Sequence, residues 1–134
     1  MKKIEHLGIA VKNLNTANVV YEKLLGVKPY KTESVTSESV NTSFFKVADS
    51  KIELLEATTP HSAIHKFITK NGEGIHHIAF EVEDILEELS RLKSEGFQLV
   101  NESPKKGADN KLVAFVHPKS THGVLIELCQ EIKD

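Results

Sequence analysis

Two histidines and two glutamates occupy matching places in strand-like sequence. His6 lies in Ile4-Glu5-His6-Leu7-Gly8-Ile9-Ala10-Val11, and His77 lies 71 positions later in Ile75-His76-His77-Ile78-Ala79-Phe80-Glu81-Val82. Glu53 lies in Ile52-Glu53-Leu54-Leu55, and Glu127 lies 74 positions later in Ile126-Glu127-Leu128-Cys129. An ionised carboxylate inside an apolar strand is costly unless it is paired or bound to metal. Two imidazole nitrogens and two carboxylate oxygens suit one borderline divalent cation: zinc, cobalt, nickel, iron or manganese. Water in the remaining positions could give way to substrate oxygens. The candidate metal ligands are therefore His6, Glu53, His77 and Glu127.

These residues need elements that hold them, and the chain supplies those elements twice. Each histidine strand is followed by a polar turn, Lys12-Asn13-Leu14-Asn15 or Glu83-Asp84, and then by a helical pattern. Ala17, Val20, Tyr21, Leu24 and Leu25 form the first apolar stripe, ended by Gly26; Ile85, Leu86, Leu89 and Leu92 form the second, ended by Gly96. Short strands are predicted over Val27 to Thr32 and Phe97 to Asn101. Longer strand pairs close each half: Ser39 to Val47 with Lys51 to Glu56, and Lys111 to His117 with Gly123 to Gln130. The segment Thr58 to Gly74 joins the halves through a helical patch, Ala63 to Lys70. Each half thus reads β-α-β-β-β, an internal repeat. The predicted organisation is a single α+β domain over 1–134, with module one about 1–57, a connector about 58–73 and module two about 74–131. Strand alternation sets Leu7, Ile9 and Val11 toward the first helix, and His6, Gly8 and Ala10 away from it. Ile78, Phe80 and Val82 face the second helix; His77 and Ala79 face away. Glu53 and Glu127 likewise oppose the apolar residues beside them.

The remaining candidates read as structural. The repeat aligns His77, rather than His76, with His6, so His76 is expected to support the site rather than ligate. His61 and His65 are expected on the surface of the connector. His117 opens His117-Pro118-Lys119-Ser120-Thr121-His122-Gly123, a turn before the last strand. Cys129 shares a face with Glu127 and reads as a small buried residue without an activating partner. Lys105 to Lys111 reads as a mobile, solvated basic loop.

Composition excludes several classes. With 134 residues, 40% hydrophobic and 27% charged, the chain matches a soluble globular domain. A net charge of -2 gives no electrostatic basis for nucleic acid or an anionic membrane as partner. One cysteine permits no internal disulfide, which fits a reducing, cytoplasmic setting. The N-terminus lacks the apolar stretch of a signal peptide, and no apolar run is long enough to cross a bilayer. Arg91 is the sole arginine, and so the sole candidate for bidentate recognition of an anion.

These residues resemble the vicinal oxygen chelate superfamily, which includes glyoxalase I, extradiol dioxygenases, fosfomycin resistance proteins and methylmalonyl-CoA epimerases. The resemblance covers nearly the whole chain and is strongest to the epimerases. It is carried by His6-Leu-Gly-Ile-Ala-Val, Lys51-Ile-Glu-Leu-Leu-Glu, Gly74-Ile-His-His-Ile-Ala-Phe-Glu-Val, and His117-Pro-Lys-Ser with Gly123-Val-Leu-Ile-Glu-Leu. The resemblance implies two modules forming a cupped, half-open mixed sheet around a central metal site, commonly in a homodimer. It implies a divalent cation among cobalt, zinc, nickel, manganese and magnesium, held by the same four residues. It implies interconversion of the (R) and (S) forms of methylmalonyl-CoA, an acyl-CoA thioester, through an enolate, with catalytic Glu127 as one acid/base. Some members carry a second glutamate on the strand before that of Glu53; by register Thr42 or a neighbour stands there, and Glu38 falls too early. The alternatives are a glyoxalase I-like lactoylglutathione lyase and a non-catalytic small-molecule binding protein on the same fold.

Overall fold

The helices begin where polar side chains can cap them, and each is followed closely by a glycine of positive φ: Gly26, Gly72 and Gly96. Helix α1 (Leu14–Leu25) starts after Asn13, whose Oδ1 accepts from the Thr16 N–H at 3.0 Å, and stops at Gly26 with φ 73°. Helix α3 (Ile85–Ser94) starts after Asp84, whose carboxylate accepts from the Glu87 N–H at 3.1 Å. The connector helix α2 (Ala63–Asn71) is capped by Ser62, which accepts from the Ile64 N–H at 3.2 Å. A computed structural model describes residues 1–133, with strands β1 (Lys3–Ala10), β2 (Lys31–Val35), β3 (Val40–Val47), β4 (Ser50–Ala57), β5 (Gly74–Glu81), β6 (Lys105–Lys106), β7 (Lys111–Val116) and β8 (Ile126–Glu131). The fold is α+β, and both halves run β-α-β-β-β.

The chain divides into two compact units, one of His6–His76 and the other of Met1–Glu5 with the chain from His77 onward. In the first unit β2 pairs antiparallel with β3, β3 antiparallel with β4, and β4 parallel with β1. The Val11 N–H extends the last ladder to the Leu55 carbonyl at 2.9 Å. One face packs on α1 through Val11, Leu14, Phe45 and Leu54, with Ile9, Tyr21 and Leu25 against them. The opposite face is covered at one end by α2, where Ile64, Phe67 and Ile68 meet Ala10, Val40 and Leu55.

The second unit repeats this plan. β6 pairs antiparallel with β7, β7 antiparallel with β8, and β8 parallel with β5. The Val82 N–H reaches the Cys129 carbonyl at 2.9 Å. Its helix-side core joins Val82, Ile85, Leu89, Leu92, Ala114, Val116 and Leu128; Ala79, Val113 and Cys129 cluster on the other face. The alternation read from sequence therefore assigns both faces correctly.

Each helix is also tied to the strand that carries the module's glutamate. The Leu14 N–H donates to Glu56 Oε2 at 2.9 Å, and the Ile85 N–H donates to Gln130 Oε1 at 2.7 Å. Glu56 lies three residues after Glu53, and Gln130 three after Glu127, so each points to the opposite face from its glutamate. Each bond satisfies a donor that a helix start otherwise leaves without a partner.

Four segments differ from the sequence expectation. The last strand begins at Ile126 rather than Gly123, because His122 and Gly123 take positive φ in a turn. The second strand begins at Lys31 rather than Val27, because Pro29 has no N–H to give a ladder and the first bond to β3 is Tyr30 N–H to the Phe44 carbonyl, 2.8 Å. Residues 97–101 form an isolated bridge, Leu99 to Val116, rather than a strand. Their backbone still pairs, Val100 N–H to Phe115 O at 2.8 Å, but Asn101 Oδ1 takes the Phe115 N–H and ends the ladder. The basic segment is no simple loop either: Lys105–Lys106 pair with Leu112 and Val113, and Lys111 is buried with its Nζ 3.3 Å from Glu131.

Candidate metal centre

The parallel strand pair fixes each histidine beside its glutamate. In the first unit Gly8 is the register partner of Glu53, and His6 lies two residues earlier on the same face. In the second Ala79 is the register partner of Glu127, and His77 lies two residues earlier on the same face. The two arrangements are the same construction made twice. His6 Nδ1 stands 3.1 Å from Glu53 Oε2, and His77 Nε2 stands 3.1 Å from Glu127 Oε1. All four residues are 4–6% exposed. Small residues at Gly8 and Ala79 keep the adjoining floor of each pair low.

This donor set fits a divalent cation. Ligand bonds of about 2.1 Å at tetrahedral or octahedral angles place neighbouring donor atoms about 3.0–3.4 Å apart. A nitrogen–oxygen separation of 3.1 Å within each pair agrees with that spacing. Burial supplies a second reason: a carboxylate held this far from water gains from a positive partner with no proton to lose.

An aromatic ring stands beside each glutamate, a feature the sequence reading missed. Phe44 on β3 is the register partner of Glu53, and Phe115 on β7 is the register partner of Glu127. The Phe115 ring meets the His77 ring edge-on, with centroids 6.0 Å apart and an interplanar angle of 86°. Phe44 is fully buried. The two phenylalanines sit at equivalent places of the repeat and present an apolar wall to each pair. The antiparallel register across the Ala48-Asp49 turn was the signal that could have found Phe44. Glu5, next to His6 in the chain, was also missed: it is 2% exposed, and a carboxylate among polar neighbours gives no warning of burial.

The other histidines take the structural places expected for them. His76 is half-buried and packs edge-on against Phe67 of α2, with ring centroids 5.1 Å apart. His61 and His65 are exposed. His117 Nδ1 accepts the Lys119 N–H at 3.0 Å and so caps the turn Pro118–Thr121. Cys129 is fully buried, its Sγ 3.5 Å from the Phe80 carbonyl. Arg91 lies on α3, on the opposite side of its strands from His77, and its guanidinium is bonded to Glu88. That hydrogen bond and the Glu88 charge raise the Arg91 pKa above its ordinary value.

Residues 5–115 match the profile of the Glyoxalase/Bleomycin resistance protein/Dioxygenase superfamily, and the chain belongs to that superfamily. Its relatives include epimerases. It is 39% identical over 130 residues to the Ethylmalonyl-CoA/methylmalonyl-CoA epimerase of Cereibacter sphaeroides, covering 96% of this chain and 97% of that protein. It is 40% identical over 130 residues to YqjC of Bacillus subtilis, an uncharacterized protein, covering 97% of this chain and 93% of that one. A Streptomyces coelicolor methylmalonyl-CoA epimerase variant, solved in complex with 2-nitronate-propionyl-CoA, superposes with a TM-score of 0.93 at 33% identity, covering 98% of this chain and 95% of that one. Among the described residues no helix is long and apolar enough to cross a membrane.

Proposed function

We propose that this protein is a metal-dependent epimerase that interconverts the (R) and (S) forms of methylmalonyl-CoA. On this reading the two modules close into one cupped sheet, and His6, Glu53, His77 and Glu127 hold a single divalent cation between them. The observation that carries the reading is the duplicated pair: one imidazole and one carboxylate, 3.1 Å apart and buried, at the same register in each module. The epimerase relatives at 33–39% identity support the substrate class.

The chemistry follows from those residues. The proton to be moved lies between a thioester and a carboxylate, and both acidify it. The cation, when bound, supplies positive charge that offsets the negative charge growing on the thioester oxygen as that proton leaves. Glu127 is both ligand and acid/base: its carboxylate faces His77 through Oε1 and exchanges a proton with the substrate carbon. Phe44 and Phe115 exclude water from the carboxylates and so strengthen every charge interaction there. The coenzyme A moiety is recognised by lysines and backbone, because the only arginine is engaged by Glu88 on the far side of α3. The same fact weighs against a glyoxalase I-like lyase that clamps glutathione carboxylates with arginine. We place the enzyme in the cytoplasm as a homodimer.

The test is solvent exchange. Purified protein is incubated in D2O with (R)- or (S)-methylmalonyl-CoA, and in parallel with the methylglyoxal–glutathione adduct. Deuterium entering the α-position with inversion supports the epimerase. Turnover of the glutathione adduct alone supports the lyase. Tight thioester binding without exchange supports a binding protein.

A further inference from the structure

We infer that Glu5 is a third carboxylate of the metal centre, a positioning residue that acts on the cation by its charge and sets how tightly His6 and Glu53 hold it. This rests on the reading of His6, Glu53, His77 and Glu127 as ligands. Glu5 precedes His6 in β1, and its side chain gathers with two of those ligands: one donor atom from each of Glu5, His6 and Glu53 lies within 4.8 Å of the other two. Within the group His6 Nδ1 and Glu53 Oε2 are 3.1 Å apart. All three residues are withdrawn from water, at 2%, 4% and 6% exposure for Glu5, His6 and Glu53.

A cation suits this grouping. Two carboxylates a few ångströms apart repel, and the repulsion grows when protein replaces the water around them. Each also loses its hydration on burial. An imidazole that ligates a metal is neutral and offsets neither charge. A divalent cation offsets both. Placed about 2.1 Å from the donor atoms of His6 and Glu53, it has a Glu5 oxygen within about 7 Å, close enough in a dry setting for strong attraction without a bond. Glu5 thus leaves the four ligand bonds as they are and deepens the electrostatic well around them.

The internal repeat isolates the feature. Glu5 stands 71 positions before His76, as His6 stands 71 before His77. His76 brings no carboxylate to its pair; it packs edge-on against Phe67, with ring centroids 5.1 Å apart. Yet each histidine and its glutamate keep the same 3.1 Å spacing in both modules. The ligand geometry therefore needs no third carboxylate, and what Glu5 adds to module one is charge.

The experiment measures cobalt affinity by calorimetry on chelator-stripped wild type, Glu5→Gln, Glu5→Asp and Glu38→Gln, with the melting temperature of each metal-free protein taken alongside. Glu38 is an exposed residue of the turn Thr36–Glu38, so its variant removes the same charge from the surface. Glu5→Gln keeps the shape of the side chain and should weaken cobalt binding by roughly 10- to 100-fold, the span seen when groups around metal ligands are changed. Without metal it should melt no more than about 2 °C below wild type, because the amide relieves the repulsion on Glu53. Glu5→Asp restores the charge and should bind within about threefold of wild type, as should Glu38→Gln. Glu5→Ala, read in the same way, replaces Glu5→Gln if the amide does not fold. Glu5→Gln affinity within about threefold of wild type overturns the role of Glu5 and leaves the four-ligand centre intact. A metal-free Glu5→Gln protein that melts far below wild type, or a Glu5→Asp protein as weak as Glu5→Gln, also overturns it, since Glu5 would then act by packing. An equal loss in Glu38→Gln does the same. A wild type that binds no cobalt removes the centre and this role together.

Discussion

If His77 is a ligand, its loss should abolish the stabilisation that a cation gives the folded chain. A ligand bound by the folded state alone, at about 100 times its dissociation constant, adds about 2.7 kcal/mol of stability. A chain of 134 residues has an unfolding entropy of about 0.28 kcal/mol per kelvin at about 2.1 cal/mol/K per residue. Chelator-stripped wild type should therefore gain about 10 °C in Tm when the cation is restored. His77→Ala removes one of four donors; a hundredfold weaker affinity, a magnitude even outer-shell changes can reach, leaves about 0.4 kcal/mol, or about 1–2 °C. Removing a buried ring also lowers the baseline, because His77 packs on Phe115, so the increment on adding metal is the quantity to compare. His65→Ala, on an exposed residue of α2, should keep the full increment. Differential scanning fluorimetry with and without zinc or cobalt makes the comparison. A His77→Ala protein that still gains about 10 °C, or a wild type that gains nothing, refutes the reasoning.

Two further outcomes test the framework around the site. Asn13→Ala should cost about 1 kcal/mol by leaving the first turn of α1 uncapped, read as a shift of the urea midpoint with an unchanged slope; no loss would deny the cap its role. Glu88 accepts from Arg91 and from the N-terminal ammonium, and the Arg91 bond foremost holds its carboxyl below the ordinary value of 4.5. Its contribution is therefore complete above that value and is lost as the pH falls through the lowered one, so Glu88→Gln should flatten the acid side of the stability curve below about pH 5. An acid limb as steep as that of wild type would contradict this.

The repeat was legible because the groups that define it are local. Asn13 and Asp84 announce helix starts, Gly26 announces a helix end, and alternation separates His6 from Leu7. Each pairing of histidine with glutamate was legible only through the symmetry, since nothing in Ile4 to Val11 alone says that Glu53 lies across the ladder. What escaped depends on contacts distant in sequence. Phe44 and Phe115 matter because of strand register, and Lys111 is buried because Glu131 lies opposite it. Strand β2 starts late because its ladder requires an N–H that Pro29 lacks. The break after Val100 depends on one side chain, Asn101, taking a backbone donor of β7. Thr42 was placed on the strand before Glu53 by pattern alone; that its neighbour across the next ladder is Glu33 follows only from the paired backbone.

The account stands on one cation shared by both modules, and a crystal structure of the cobalt-loaded protein with anomalous scattering measured at the cobalt edge tests this most directly. The prediction is a single peak per chain, about 2.0–2.2 Å from donor atoms of His6, Glu53, His77 and Glu127 alike. Separate peaks on the two pairs, or none near these four side chains, would contradict it.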